Sequence, residues 1–189
     1  MIERSRWLER DFAFGLPVSR FPDVLERLRG TPACLEDRLD GSQPALLSAR
    51  PGDSWSIQEN VGHLLLVEEL WDGRLDDFLA GAEALRPAGY DATPVETARF
   101  NQRPVEDLLA AFRSARLRHV GRLGDLDLSD VGRTALHPRL KRTVNVLDMM
   151  LFAAEHDDHH LARITQILAN PRARLAPPGA GVRTPRSPA

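Results

Sequence analysis

His156-Asp157-Asp158-His159-His160 stands inside an apolar-periodic stretch that begins at Val144. Residues four apart on a helix share a face, with Cβ atoms about 5–6 Å apart, so His156 and His160 can both reach one metal ion. His159 is rotated by about 100° from His160 and falls outside that pairing, in a supporting or interhelical position. A third imidazole is available far upstream at His63, within Trp55-Ser56-Ile57-Gln58-Glu59-Asn60-Val61-Gly62-His63-Leu64. Three imidazoles from two helices leave coordination positions open, the ligand count of a reactive site. Zinc, nickel, copper and iron all suit imidazole, and one divalent ion, zinc or nickel first, is the expectation. It would activate a water or polarise a substrate oxygen or sulfur. The competing reading makes each histidine a hydrogen-bonded core residue.

Two neighbours could assist. Glu59 lies one turn before His63 and could accept a proton there, although Ser56-x-x-Glu59 has the form of a capping box, which explains it structurally. Arg163, one turn beyond the last two histidines, could orient an anionic group; a surface salt bridge is its simpler role. Other metal architectures fit worse. A di-iron carboxylate bundle needs Glu-x-x-His pairs, and no histidine here has Glu three positions before it. A zinc peptidase needs His-Glu-x-x-His, whereas Asp157 follows His156 and is one methylene shorter. A Gly-rich phosphate loop and Gly-x-Ser-x-Gly are both missing from the sequence.

The elements that must hold these residues read as four long helices with little strand. The first spans Phe21 to Leu39, with Gly30-Thr31-Pro32 leaving it either one kinked helix or two pieces restarted at a Thr31 cap. The second starts at the Ser56 box and runs on apolar positions from Ile57 to Leu79 until Gly81. Arg86 to Arg103 holds several Pro and Gly and reads as a long crossover loop. A third helix spans Pro104 to Leu123, a second long connection Asp125 to Arg142, and a fourth helix Thr143 to Ala169, stopped by Asn170-Pro171. The reading is an all-α, four-helix bundle whose long connections permit a topology other than up-and-down. Residues 1–20 form an N-terminal extension, 21–170 the metal-binding domain, and 171–189 a disordered tail rich in Pro and Arg.

With 189 residues and 42% hydrophobic content the chain can bury one sizeable core, and a net charge of −2 gives nucleic acid no basic surface to bind. Cys34 is the only cysteine, which excludes an internal disulfide or a thiolate-rich metal site; Leu35 and Leu39 nearby suggest a small buried side chain. No segment approaches the roughly 20 apolar residues that span a bilayer, and Met1 to Phe14 lacks a signal-peptide core, so a cytoplasmic protein is expected. His119, on a charged helix face, and His137, in a Pro-bounded loop, read as solvent-facing. Trp7 and Trp71 read as core or interface aromatics.

In combination, Trp55-Ser56-x-x-Glu59-x-x-x-His63-Leu64 and the downstream His156-x-x-His159-His160 resemble the DinB-like (YfiT-like) metalloenzyme superfamily, over roughly Val24 to Leu168. The resemblance implies a four-helix bundle, a divalent metal, often nickel or zinc, on His63, His156 and His160, and frequently a homodimer. It departs after the last histidine, where many members carry Gly-Gln and this chain has Leu161-Ala162. The family includes thiol-dependent enzymes such as mycothiol-dependent maleylpyruvate isomerase and bacillithiol transferases. The resemblance therefore implies an enzyme that acts on a small molecule by activating a low-molecular-weight thiol or water. The alternatives are a metal-dependent hydrolase and a non-enzymatic, stress-related bundle that binds a metal or small ligand.

Overall fold

The structure, a computed structural model, describes residues 5–89 and 93–169. The tail read at 171–189 lies outside the described residues. Four long helices, α1 (Phe21–Leu39), α3 (Ile57–Leu79), α5 (Val105–Gly124) and α7 (Val146–Ala169), form the bundle. Short helices α2 (Pro44–Ser48), α4 (Thr93–Thr97) and α6 (Leu128–Val131) lie in the connections, with an antiparallel hairpin of β1 (Thr134–His137) and β2 (Arg142–Asn145).

Helices α1 and α3 each pack on both α5 and α7, so the first two long helices in the chain occupy opposite corners. Apolar residues divide into two clusters, one at each end of the bundle. One holds the start of α1, the ends of α3 and α5 and the start of α7; the other holds the opposite halves. Helices α1 and α7 therefore run one way, α3 and α5 the other. The segment from Ala80 to Pro104 must travel the whole bundle length, as the crossover reading required: Leu85 joins the first cluster, Val95 and Phe100 the second.

A polar layer separates the two clusters. Arg116 of α5 is fully buried and pairs with Glu68 of α3, at 2.6 and 3.0 Å, and with both carboxylate oxygens of Asp157 of α7. Thr31 of α1 donates to Asp157 at 2.9 Å. One residue from each long helix thus meets in this layer. Burial alone lowers the Arg116 pKa, but Asp157 and Glu68 outweigh it and the net shift is upward. Burial pushes the Glu68 carboxyl up, with Asp157 adding repulsion and Arg116 opposing both.

The layer also explains α1, which is one continuous helix with Pro32 in its interior. Proline lacks the N–H that would bond the carbonyl four residues back, normally a cost of about 3 kcal/mol. Here the freed carbonyl of Leu28 accepts from the Arg116 guanidinium at 3.2 Å. Thr31 is a mid-helix residue, not a cap.

Three further expectations are corrected. Cys34 is exposed, because it lies off the face that buries Leu35 and Leu39. The second connection contains strands, with Thr143 in β2, so α7 starts at Val146. β1 also exchanges backbone hydrogen bonds with residues 83–85: Leu85 N–H to Leu136 O at 3.0 Å and Leu136 N–H to Glu83 O at 2.9 Å. The N-terminal residues Trp7, Phe12, Phe14 and Leu16 pack against the first core cluster.

Candidate metal centre

The Ser56 capping box forms as its spacing required, with Glu59 N–H donating to Ser56 Oγ and Ser56 N–H to Glu59 Oε2. It fixes where α3 begins. The Ser56 hydroxyl also donates to Asn101, and Gln58 donates to the Phe100 and Arg103 carbonyls, which latches the end of the crossover onto α3. Gly62 lets this happen: a Cβ there would fall within the Phe100 ring. The next residue is His63.

His63 of α3 and His156 and His160 of α7 converge, with one ring nitrogen of each inside a 4.8 Å cluster. His63 Nε2 and His156 Nε2 are 3.2 Å apart. Two ligands about 2.0–2.1 Å from a tetrahedral zinc would be separated by about 3.3 Å, so the spacing fits shared coordination. The His160 tautomer follows from its neighbours. Asn60 Nδ2 donates to the Ser56 carbonyl at 2.7 Å, which leaves Asn60 Oδ1 as an acceptor, and that oxygen lies 2.8 Å from His160 Nδ1. The proton is then on Nδ1, and Nε2 presents a lone pair.

Burial pushes His63 down to about 4 and His156 well below its ordinary value, the latter reinforced by His63 and His159. Both rings are neutral, as a ligand must be. His156 Nδ1 is buried with no hydrogen-bond partner among the described residues. Convergent ring nitrogens and neutral rings fit a divalent ion.

Two predictions follow from this geometry. Asn60→Leu removes the acceptor that orients His160 and will weaken metal affinity about 10–100-fold in a chelator competition; an unchanged affinity would mean that packing alone sets the ring. The second concerns pH. Folded His63 has a pKa of about 4 against 6.5 when unfolded, and His137 also falls to about 4, from burial and then Arg74 and Arg139. Below pH 6.5 the unfolded chain therefore binds protons that the folded chain refuses. Metal-free protein will keep full stability above about pH 7.5 and lose roughly 2–4 kcal/mol between pH 7.5 and 5 in urea titrations. A flat profile would count against the buried neutral rings.

Aromatic rings wall the centre. Trp55 stacks on His160 and tilts against His63; Trp7 and Trp71 meet the edge of His156. On one side opens a cavity of about 260 Å³ reaching His63 and His156, lined by all three tryptophans with Arg74, His137 and Arg139. On the other a polar cleft of about 290 Å³ reaches His160 and holds Asp53, His159 and Arg163. Trp55 borders both. Trp7 and Trp71 are thus core aromatics that also wall a cavity.

Of the secondary candidates, Glu59 is committed elsewhere: it is buried and held by Arg50 at 2.8 and 2.9 Å as well as by its cap. Burial opposes its ionisation, yet Arg50 and Ser56 hold its carboxyl below the ordinary range. Asn60, one residue on and on the same face, supports the ligands instead. Arg163 borders the cleft and forms no ion pair among the described residues, contrary to the salt-bridge reading. His119 and His137 are both buried, correcting their solvent-facing reading. Asp72 of α3 bonds His119 at 2.7 Å, and the β1–β2 hairpin folds His137 inward against Arg74.

Among the described residues, no helix is long and apolar enough to cross a membrane. No curated protein sequence matches this chain. A solved structure with the same fold is YfiT from Bacillus subtilis, described as a probable metal-dependent hydrolase with an unusual four-helix bundle topology. The two share 21% identity at a TM-score of 0.73, over 85% of this chain and 93% of that one. The sequence profile of the DinB superfamily matches residues 27–164, which include all three histidines and most of the four long helices, and the chain belongs to that superfamily.

Proposed function

We propose that this protein is a divalent-metal-dependent enzyme, with zinc or nickel on His63, His156 and His160, in which a low-molecular-weight thiol or water attacks a small organic electrophile. The observation that carries the reading is the convergence of three imidazoles between two separate openings. A divalent ion with only neutral protein ligands keeps its charge and lowers the pKa of a thiol or water that reaches it.

The chain's own residues favour a thiol. No carboxylate lines the aromatic cavity among the described residues, and Glu59 is engaged by Arg50, so no carboxylate base serves water on that side. A thiol with a pKa near 8.5 needs less help than water at 15.7. The two openings give two reactants separate approaches: the aromatic cavity suits an apolar electrophile, while Arg163 and Asp53 in the cleft suit a small thiol with charged ends. Hydrolysis is the second reading, favoured by the description of YfiT.

Tag-free protein purified without added metal is expected to hold about one zinc or nickel per chain by elemental analysis. With 1-chloro-2,4-dinitrobenzene and cysteine, adduct formation that stops on chelation supports transfer. Chelator-sensitive ester cleavage without thiol would move the assignment to hydrolysis. Stoichiometric metal with neither reaction would leave a binding bundle.

A further inference from the structure

We propose that residues 5–14 form a strap that opens and closes the aromatic cavity, and that Trp7 on this strap closes over a single-ring aromatic electrophile and holds it beside His156. The inference deepens the metal-dependent reading, on which it rests for the reaction at His156 but not for the strap itself.

Side chains alone hold the strap to the bundle. Among the described residues, no backbone group of residues 5–14 bonds to the bundle; the backbone hydrogen bonds there are local, closing the single 3-10 turn Trp7–Glu9 and joining the Phe14 N–H to the Phe12 carbonyl. Rings and one cation make the contact: Trp7 and Phe12 lie 5.0 and 4.9 Å from the Phe152 ring, and Arg10 reaches Glu155 at 3.7 Å. Firm anchorage begins at Gly15, whose N–H donates to buried Asp148 at 2.7 Å. Its φ of +84° is open to glycine and rarely to other residues, so the chain can turn there. A segment with few buried contacts and no backbone ties to its support opens locally, without unfolding the domain.

The strap covers the reactive wall. Trp7 meets the edge of His156 at 5.1 Å and lies 5.8 Å from His159. It shares the cavity lining with Trp55, Trp71 and Phe152, so four large rings, brought by the strap, the turn before α3, α3 and α7, surround one space. Aromatic rings attract one another, offset or edge to face, beyond the area they bury. An apolar cavity of about 150 Å³ holds benzene. The cavity here, about 260 Å³, has room for one substituted ring. Leu8, beside Trp7, lines the same cavity yet is 71% exposed, an apolar surface that an occupant would cover. With Trp7 lifted, Phe152 and the edge of His156 are open to an entering ring; with Trp7 down, that ring is enclosed. The strap precedes residue 27, where the superfamily match begins, so the wall it supplies lies outside that match.

Two measurements on the full chain in chelator test the strap independently of any metal. In equilibrium dialysis, wild type is expected to bind nitrobenzene about 5-fold tighter than nitrocyclohexane, its saturated counterpart. Trp7→Ala is expected to weaken nitrobenzene binding about 10-fold, while Trp7→Phe, which keeps a ring in place, stays within about 3-fold of wild type. In native trypsin digestion read by mass, the cut after Arg10 is expected before any cut within the four long helices, and to slow about 10-fold at saturating nitrobenzene. No nitrobenzene binding at millimolar concentration, equal binding of the two probes, or equal affinity in wild type and Trp7→Ala overturns the proposal. A cut after Arg10 that waits for the bundle to unfold, or that nitrobenzene does not slow, also overturns it, because Trp7 is then a fixed wall. Success in both measurements with no metal found by elemental analysis supports the strap and sinks only the metal-dependent reading.

Discussion

Alanine at position 156 will strip the protein of its metal while leaving the bundle folded. His156 presents Nε2 3.2 Å from that of His63 and shares the cluster with His160. With two imidazoles left, metal content after dialysis is expected to fall from about one per chain to near zero, and any metal-dependent turnover by at least about 100-fold, since supporting groups alone are worth 10–100-fold. The stability readout separates this from a packing role. A core residue truncated to alanine typically costs 2–5 kcal/mol. His156, however, buries an Nδ1 that no described residue satisfies, a burden of about 1–3 kcal/mol that metal on Nε2 does not relieve. In chelator, His156→Leu is therefore expected to match or exceed wild type in urea resistance. A loss of several kcal/mol there, with no metal in the wild type, would make the histidine a structural residue.

Arg116→Met carries the largest expected cost to stability. The guanidinium is fully buried between Glu68 and Asp157 and also satisfies the carbonyl that Pro32 orphans. Removing it leaves two carboxylates without their cation in a low-dielectric layer, typically 3–5 kcal/mol, against a total stability of about 5–15 kcal/mol. The protein would fold marginally if at all. Because the damage is the orphaned charge, neutralising the carboxylates together, as Glu68→Gln/Arg116→Met/Asp157→Asn, is expected to recover a substantial part of it. Equal urea midpoints for the single and triple variants would show that the loss comes from packing and from the Leu28 carbonyl instead.

What could be read from the letters was what depends on local spacing. The Ser56–Glu59 box, the crossover and the His156–His160 pairing all rest on residues a few positions apart, and each has its counterpart in the structure. What escaped depends on partners in other helices. His119 sits among Arg116, Arg118 and Arg122, a pattern indistinguishable from a solvated face until Asp72 and Glu68 are brought opposite it. Pro32 reads as a break because the group that completes its turn is 84 positions away in the chain, counted from Pro32 to Arg116. The hairpin has strands of only four residues, too short for alternation to declare itself. His137 and Arg139 therefore gave no hint that they face the metal centre. Asn60 was within reach: a side-chain amide one turn before His63 lies on the ligand's own face.

The placement of the ligands on α3 and α7 has a consequence for when the protein can first acquire its ion. During synthesis His63 emerges early, but it has no partner until His156 and His160 leave the ribosome, by which time the other three long helices have already been made. For most of its translation a nascent chain has made only one of the three histidines that would form the site. The complete three-histidine site can therefore form only in a nearly finished bundle, so an ion that needs all three imidazoles would be taken up after the other long helices exist.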